Sequence, residues 1–476
     1  MNWIIFWIVL YLVVVFVLSL RHIKSSNLEQ YLVNNRNTKT IPLVFTVLAT
    51  FVGGGTSIGL MAMGYESGLA AVGIGIAYVI GFFIMSFFAG KIRTLGFIHK
   101  IYSLPHFLNH TYTSKENPGF AKIFSATVSG VNIFIFFFLL AAQFVAMASL
   151  LKFSFEIGYT TAAIISAIIV ILYTAIAGLS GVIITDMIQF VAIVIMLVLI
   201  FIPGIINDTA LFSRFEELPA NMINGSYYGW IFLIALPLFL SWSVLVRMDI
   251  WQRILAANNE KTARKVSIIS GLGMLPFYII FPMVGMAIRI ISKDSLDPKD
   301  VAYIFIDRHS SGFIFGFAIV GMLSALMSSG DSFLNIISIS AVKDFAGWGK
   351  HKEGSNIYSM IRFTTIIFGI IALFVSLVFP YIVDLMVVGI STIALFVPIT
   401  LFALISKNAF RHRKVALASI LSGFIINTIL FTWGILSPEQ FSAKSSFIPA
   451  FVVAAIVLII GVAFKKKPET ESRANN

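Results

Sequence analysis

Between Gly312 and Ile339 the chain is apolar enough to cross a bilayer, yet Ser324, Ser328, Ser329, Asp331, Ser332 and Asn335 interrupt it. Ala325, Ser328, Ser329 and Ser332 stand at i, i+3, i+4 and i+7, so they share one face of a helix. A stripe of hydroxyls with a carboxylate beside it offers oxygen ligands to a hard cation. Polar groups inside a membrane are costly and usually face a bundle interior or an ion pathway. Serines alone have an ordinary alternative, bonding back to i−4 carbonyls or letting helices pack closely. Asp331 tips the balance toward a site.

The second unusual stretch is Ala49-Thr50-Phe51-Val52-Gly53-Gly54-Gly55-Thr56-Ser57-Ile58-Gly59. Each glycine is about 1 kcal/mol worse than alanine in a helix, so three in a row predict a break near mid-membrane. Irregular backbone at that depth is tolerated where it lines a cavity or is buried in protein. Interrupted helices of this kind form the substrate and ion sites of many secondary transporters. The alternative is a small-residue packing face, since Gly55 and Gly59 also make G-x-x-x-G.

The elements that must position these residues are membrane helices. The chain has 476 residues, of which 59% are hydrophobic and 11% charged, with a mean hydropathy of +0.96. Apolar runs of about 20 residues recur along it, as spanning helices require. The short alternating segments of a transmembrane barrel are missing. The fold class is therefore an all-α polytopic membrane protein. Thirteen spans fit, near 3–20, 41–63, 69–90, 121–150, 160–177, 182–204, 228–248, 267–291, 312–340, 360–379, 383–406, 414–434 and 447–464. The first run lacks the basic start and small-residue end of a signal peptide, and Arg21, His22 and Lys24 follow it. It reads as a retained span with its N-terminus outside.

The net charge of +12 reflects orientation. Most lysines and arginines fall in segments assigned to the cytoplasm, including Lys465-Lys466-Lys467 after the last span, as the positive-inside rule demands. The C-terminus is thus cytoplasmic, and Pro468–Asn476 reads as disordered. No nucleic-acid-binding motif accompanies the charge. With no cysteine there is no disulfide framework or thiolate chemistry. No Walker-type glycine loop is present to drive ATP-dependent pumping. Nor does a buried nucleophile or metal set point to an enzyme.

Four stretches together resemble the sodium:solute symporter family, with its LeuT-type inverted-repeat core. They are Ala49–Thr56, similar to the family's first core helix; Ala177–Gln189, similar to its G-x-x-x-V-x-x-T-D-x-x-Q start of the fifth; Asp249-Ile250-Trp251-Gln252-Arg253-Ile254-Leu255-Ala256-Ala257, similar to its cytoplasmic D-x-x-Q-R-x-L-A-A; and Met327–Asn335, similar to its M-S-T-x-D-S-x-L-N signature. The resemblance implies one membrane domain over 1–476. In it an extra span at 3–20 precedes inverted repeats at 41–204 and 228–406, two spans at 414–464 and a tail at 465–476 follow, and the core is a five-plus-five repeat. It implies sodium, the coupling ion, bound by the carbonyls of Ala49, Val52 and Ala325 and the hydroxyls of Ser328 and Ser329. Where the family often has threonine, Ser329 keeps the hydroxyl.

By the same resemblance a second sodium would use Asp186, with Ser329, Asp331 and Ser332. An acid near a helix N-terminus is the alternative for Asp186. The solute would lie against Gly53, Gly54, Gly55 and Thr56, facing Ser241, Trp242 and Ser243, with Gln143 in reach. Trp242 and Gln143 have packing roles as alternatives. Asp249 and Arg253 read as a cytoplasmic latch, with Arg247 at the same edge. No lysine or arginine is expected deep in a core span, which favours a neutral or zwitterionic solute. The implied function is sodium-coupled import of a small polar organic solute across the plasma (inner) membrane by alternating access. Proton coupling through Asp186 or Asp331 is the nearest alternative, and a transporter-like sensor a more distant one. Neither the solute nor the oligomeric state is written in the residues.

Overall fold

The chain forms helices wherever its apolar runs allow. The computed structural model describes residues 2–20, 28–116, 118–292, 295–345 and 356–464, so Arg21, His22, Lys24 and the tail from Lys465 to Asn476 lie outside the described residues. Among the described residues there is no strand, and one isolated bridge joins Thr38 to Ala257. Among the described residues eight helices are long and apolar enough to cross a membrane, and two further helix pairs are bent in the middle. Three shorter apolar helices, Trp3–Ser19, Tyr159–Ala175 and Phe447–Ala463, accompany them.

The first bent pair is Thr40–Phe51 with Gly55–Ser67, turned by 58°. The second is Trp230–Val246 with Met248–Ala256, turned by 51° at Arg247, whose backbone is extended (φ −75°, ψ 121°). The sequence expectation for 228–248 was a plain span, with the Asp249–Ala257 motif at the cytoplasmic edge. The span is bent instead, and every residue of its second half, Met248–Ala256, is buried. No glycine run marks this break; a π-helical turn at Leu236–Leu240, then a 3₁₀ turn at Ser241–Val246, precedes it. Gly178 (φ +59°) separates Tyr159–Ala175 from Gly181–Asp208. A side chain there would be strained in the backbone and would collide with the Tyr31 ring.

The Gly312–Ile339 helix is the axis of the bundle: every residue from Ala318 to Ile339 is buried. It packs against Trp3–Leu20, Thr40–Phe51, Pro118–Phe155, Gly181–Asp208 and Asn356–Val378. By contrast Ile357–Val378 and Ala409–Leu436 leave most of their apolar surface uncovered, as lipid-facing helices do. Small residues close the tightest crossing, where Gly64 and Gly285 bring Gly55–Ser67 and Glu260–Ile291 into backbone contact. Leu104–Thr113 is a short helix capped by Ser103 Oγ, which accepts from the His106 amide at 2.9 Å.

Candidate ion and solute site

In a continuous helix the Gly54 amide would bond the carbonyl of Thr50. At the break it turns away and donates to Gln143 Oε1 at 2.8 Å. The freed Thr50 carbonyl accepts the hydroxyl of Ser329 at 2.7 Å. Beyond the break the helix restarts as a π turn, with the Gly59 amide on Gly54 O at 2.8 Å. Backbone groups that lipid could not satisfy are thus met by side chains of two other helices.

Ser329 also lies 3.3 Å from the Ala325 carbonyl, one turn back. The structure therefore brings Ser329 against the broken helix at Thr50 and Gly53, with the Ala325 carbonyl one turn back on its own helix. Ser328 points elsewhere, donating to Asp186 Oδ1 at 2.5 Å. Thr46, on the first half of the broken helix, donates to Asp186 Oδ2. Arg253 joins this group: Nη2 is 3.4 Å from Asp186 Oδ2, 2.7 Å from Ser332 Oγ and 3.1 Å from Thr50 Oγ1. Asp186 and Ser332 thus meet around a guanidinium. Asp331 borders this cluster, its Oδ2 accepting from Tyr173 at 2.7 Å.

The expected Asp249–Arg253 latch is not the pairing adopted. Arg253 reaches Asp249 through the backbone carbonyl alone, at 3.3 Å, whereas the Asp249 carboxylate is gripped by Arg247 at 2.5–3.1 Å. The bend at residue 247 sets the two arginines on different partners.

Beside the break lies a cavity of about 170 Å³. Gly53, Gly55, Thr56, Gln143 and Ser329 line it, together with Tyr78, Tyr278, Met386 and Arg247. The Arg247 guanidinium sits 4.2 Å above the Phe51 ring, a cation–π arrangement. A basic residue therefore does reach this wall, contrary to the expectation that none lies deep in a core span. Its charge is balanced by Asp249. Ser241, Trp242 and Ser243 do not line the cavity: Ser241 backs onto Gly81, Ser243 donates to Leu240 O at 2.6 Å, and Trp242 packs against the core. The helical turns before residue 247 rotate them off the wall, which Arg247 reaches instead. Nothing in the sequence marks Tyr78, Tyr278 or Met386 as wall residues, because each sits in an ordinary apolar run, and Arg247 reads there as an edge residue.

The sodium:solute symporter family model matches residues 31–423. The chain belongs to the sodium:solute symporter family. Like the rest of that family it is a multi-pass membrane transporter coupled to sodium, and the family is one of transporters rather than enzymes. Two relatives are the sodium/proline symporter 2 of Staphylococcus saprophyticus, 26% identical over 466 residues, and the sodium/proline symporter of Staphylococcus aureus, 26% identical over 469 residues. Each match covers 93% of this chain and 89% of the relative. Among solved structures, a Na⁺-coupled sialic acid symporter in a substrate-bound outward-open state matches with a TM-score of 0.75 at 16% identity. That match covers 97% of this chain and 98% of the other. A nucleobase-cation-symport-1 transporter in a closed conformation gives 0.58 at 13% identity, covering 92% and 94%. These structural likenesses establish the fold.

Proposed function

We propose that this symporter imports a small polar, neutral or zwitterionic organic solute, bound in the cavity beside the glycine break, with sodium bound next to it. The sodium shell comprises the carbonyls of Ala49, Val52 and Ala325 and the hydroxyl of Ser329, joined by that of Ser328 once it turns from Asp186. The carrying observation is the position of Ser329, which bonds the broken helix at Thr50 and also lines the cavity. An ion that engages Ser329 stiffens the backbone against which the solute sits, so each ligand raises the affinity for the other. One inward charge also gains about 2.3 kcal/mol per 100 mV of membrane potential.

Gly53, Gly55, Thr56 and Gln143, which line the cavity, are the solute contacts; the expected contact Gly54 does not line it and gives its amide to Gln143. Arg247, neutralised by Asp249, is available to a solute carboxylate. Asp186, Ser329, Asp331 and Ser332 hold a second sodium only in a state where Arg253 has withdrawn. The eight long helices, two bent pairs and three shorter apolar helices make up thirteen spans, with inverted repeats at 41–204 and 228–406. The N-terminus is outside and the C-terminus in the cytoplasm, and the protein resides in the plasma (inner) membrane.

The test is thermal unfolding of the purified protein against amino acids (proline among them), sugars and quaternary amines, each in sodium and in potassium. A compound that raises the Tm in sodium but not in potassium supports the reading. Stabilisation indifferent to sodium, or uptake that follows a pH gradient without sodium, overturns it.

A further inference from the structure

A second cavity, of about 270 Å³, lies on the far side of the helix that forms one wall of the first. Along Ile382–Ile393, Ile382, Met386 and Ile390 face the solute cavity, whereas Leu385 and Val388 face this other one. Its remaining walls are aromatic, with Phe134, Phe138, Phe379 and Phe431, and its polar lining is Asn427, Thr428 and Thr432. No charged side chain lines it.

Asn427 is 3% exposed, and the orientation of its amide is fixed by its neighbours. Ser391 and Thr392 both give their hydroxyl protons to the Val388 carbonyl, at 3.1 and 2.8 Å. They can therefore only accept from Asn427, and its Nδ2 donates to them at 3.2 and 3.1 Å. The acceptor Oδ1 has no protein partner, although it is buried. Buried acceptors are almost always satisfied, so one left over beside a cavity asks for a donor from outside the chain. The mouth opens along Thr428, Thr432 and Ile435 on the Ala409–Leu436 helix, whose neighbouring Ile425, Ile429 and Leu436 are exposed apolar residues of a membrane span. Whatever enters comes from the lipid phase. It needs an apolar body and one hydrogen-bond donor, and has no use for a charged group.

We propose that this cavity binds an apolar alcohol dissolved in the bilayer, its hydroxyl donating to Asn427 Oδ1, and that the occupant braces the Ile382–Ile393 helix from behind the solute cavity. The volume suits such a molecule, since an apolar cavity of about 150 Å³ already takes up benzene.

The test uses the full chain in lipid nanodiscs and two photoreactive probes, a diazirine-bearing benzyl alcohol and the matching toluene without the hydroxyl. Labelled residues are mapped by peptide mass spectrometry. The alcohol is expected to label Val388 and Phe431 at least fivefold more than the toluene. Asn427→Leu should erase that preference, and Val388→Phe, which fills the space but keeps the amide, should remove labelling by both probes. Competition by hexadecanol but not by butanol assigns the native occupant to the lipids; competition by butanol alone assigns it to small solutes and overturns a bilayer source. Equal labelling by the two probes, or a preference that survives Asn427→Leu, overturns the site. For the brace, Met386→Cys supplies a single thiol in this cysteine-free chain. Its reaction with a water-soluble maleimide should slow at least threefold when the benzyl alcohol is bound, and an unchanged rate overturns the bracing role.

Discussion

Arg253 Nη2 and Asp186 Oδ2 lie 3.4 Å apart, and neither side chain is more than 1% exposed. The pair joins the bent half-helix Met248–Ala256 to Gly181–Asp208, while Thr46 and Ser332 fill the remaining bonds from two further helices. Four elements from both proposed repeats are thereby locked by one charged cluster. Removing one member of such a buried pair typically costs about 3–5 kcal/mol, because the other charge is left uncompensated.

Arg253→Gln therefore has two expected effects. The Tm without sodium falls markedly. The rise in Tm on adding sodium grows, since a cation can now serve the Asp186 carboxylate that the guanidinium had served. Measured by thermal unfolding across a sodium titration, a sodium response no larger than that of the parent removes Asp186 from the ion's path. Asp186→Asn combined with Arg253→Gln should cost less than the two single changes together.

Ser329→Ala and Ser328→Ala are expected to part company on stability. Ser329→Ala strips a hydrogen bond from the Thr50 carbonyl, a net loss of about 1 kcal/mol, and leaves a carbonyl at the break without that donor. Ser328→Ala takes a donor from Asp186, which keeps Thr46 and Arg253. The double change should abolish sodium stimulation of solute binding. Undiminished sodium-dependent uptake by the double variant would falsify the assignment of these hydroxyls to the ion.

The glycine break was legible because three consecutive residues without side chains contradict an otherwise spanning run, and the serine stripe because its period is local. The second break was not: its cause is a change of helical pitch before Arg247, and residues 228–248 carry no matching triplet. The partner of Asp186 was equally hidden. Arg253 is 67 residues away in sequence, and a D-x-x-Q-R spacing suggests the nearer Asp249. Tertiary packing rather than spacing decides that choice. The cavity wall was half legible for the same reason. Gly53, Gly55, Thr56 and Gln143 stand out as polar or small groups in apolar runs, but Tyr78, Tyr278 and Met386 are unexceptional until the helices meet.

Outside the spans, Glu29 offers a pH prediction. Partial burial pushes its carboxyl up, but the bonds and charges of Arg36 at 2.8 Å and Lys100 at 3.3 Å outweigh this and hold it below the usual glutamate range. A depressed carboxyl contributes stability above its unfolded value, about 4.3, and loses it as pH falls through the folded one. Arg36 is itself buried and bonds the Ile101 carbonyl at 2.7 Å. Glu29→Gln should therefore lower the Tm near pH 7, and the gap from the parent should close as pH falls below about 4. A gap of constant size from pH 7 to pH 3 would show that charge plays no part.

Three glycines should respond differently to the same added methyl. At Gly55 a Cβ meets the tip of Met386, a flexible side chain that can swing aside, so Gly55→Ala should be tolerated and should cost mainly cavity volume. At Gly64 it meets the backbone of Pro282, which cannot retreat without parting two helices. Gly64→Ala is expected to destabilise by about 1–3 kcal/mol, the usual range for overpacking. At Gly53 it meets Ser329 at both Oγ and Cβ, so the clash falls on the proposed ion ligand itself. Gly53→Ala should lower the Tm and abolish the sodium response together. Adding Ser329→Gly should recover part of the Tm, because the space is returned while the bond to Thr50 is lost, but not the sodium response, because the hydroxyl is gone. Thermal unfolding of the four variants with and without sodium separates these outcomes. Recovery of the sodium response in Gly53→Ala/Ser329→Gly would place the ion somewhere other than the meeting point of these two helices.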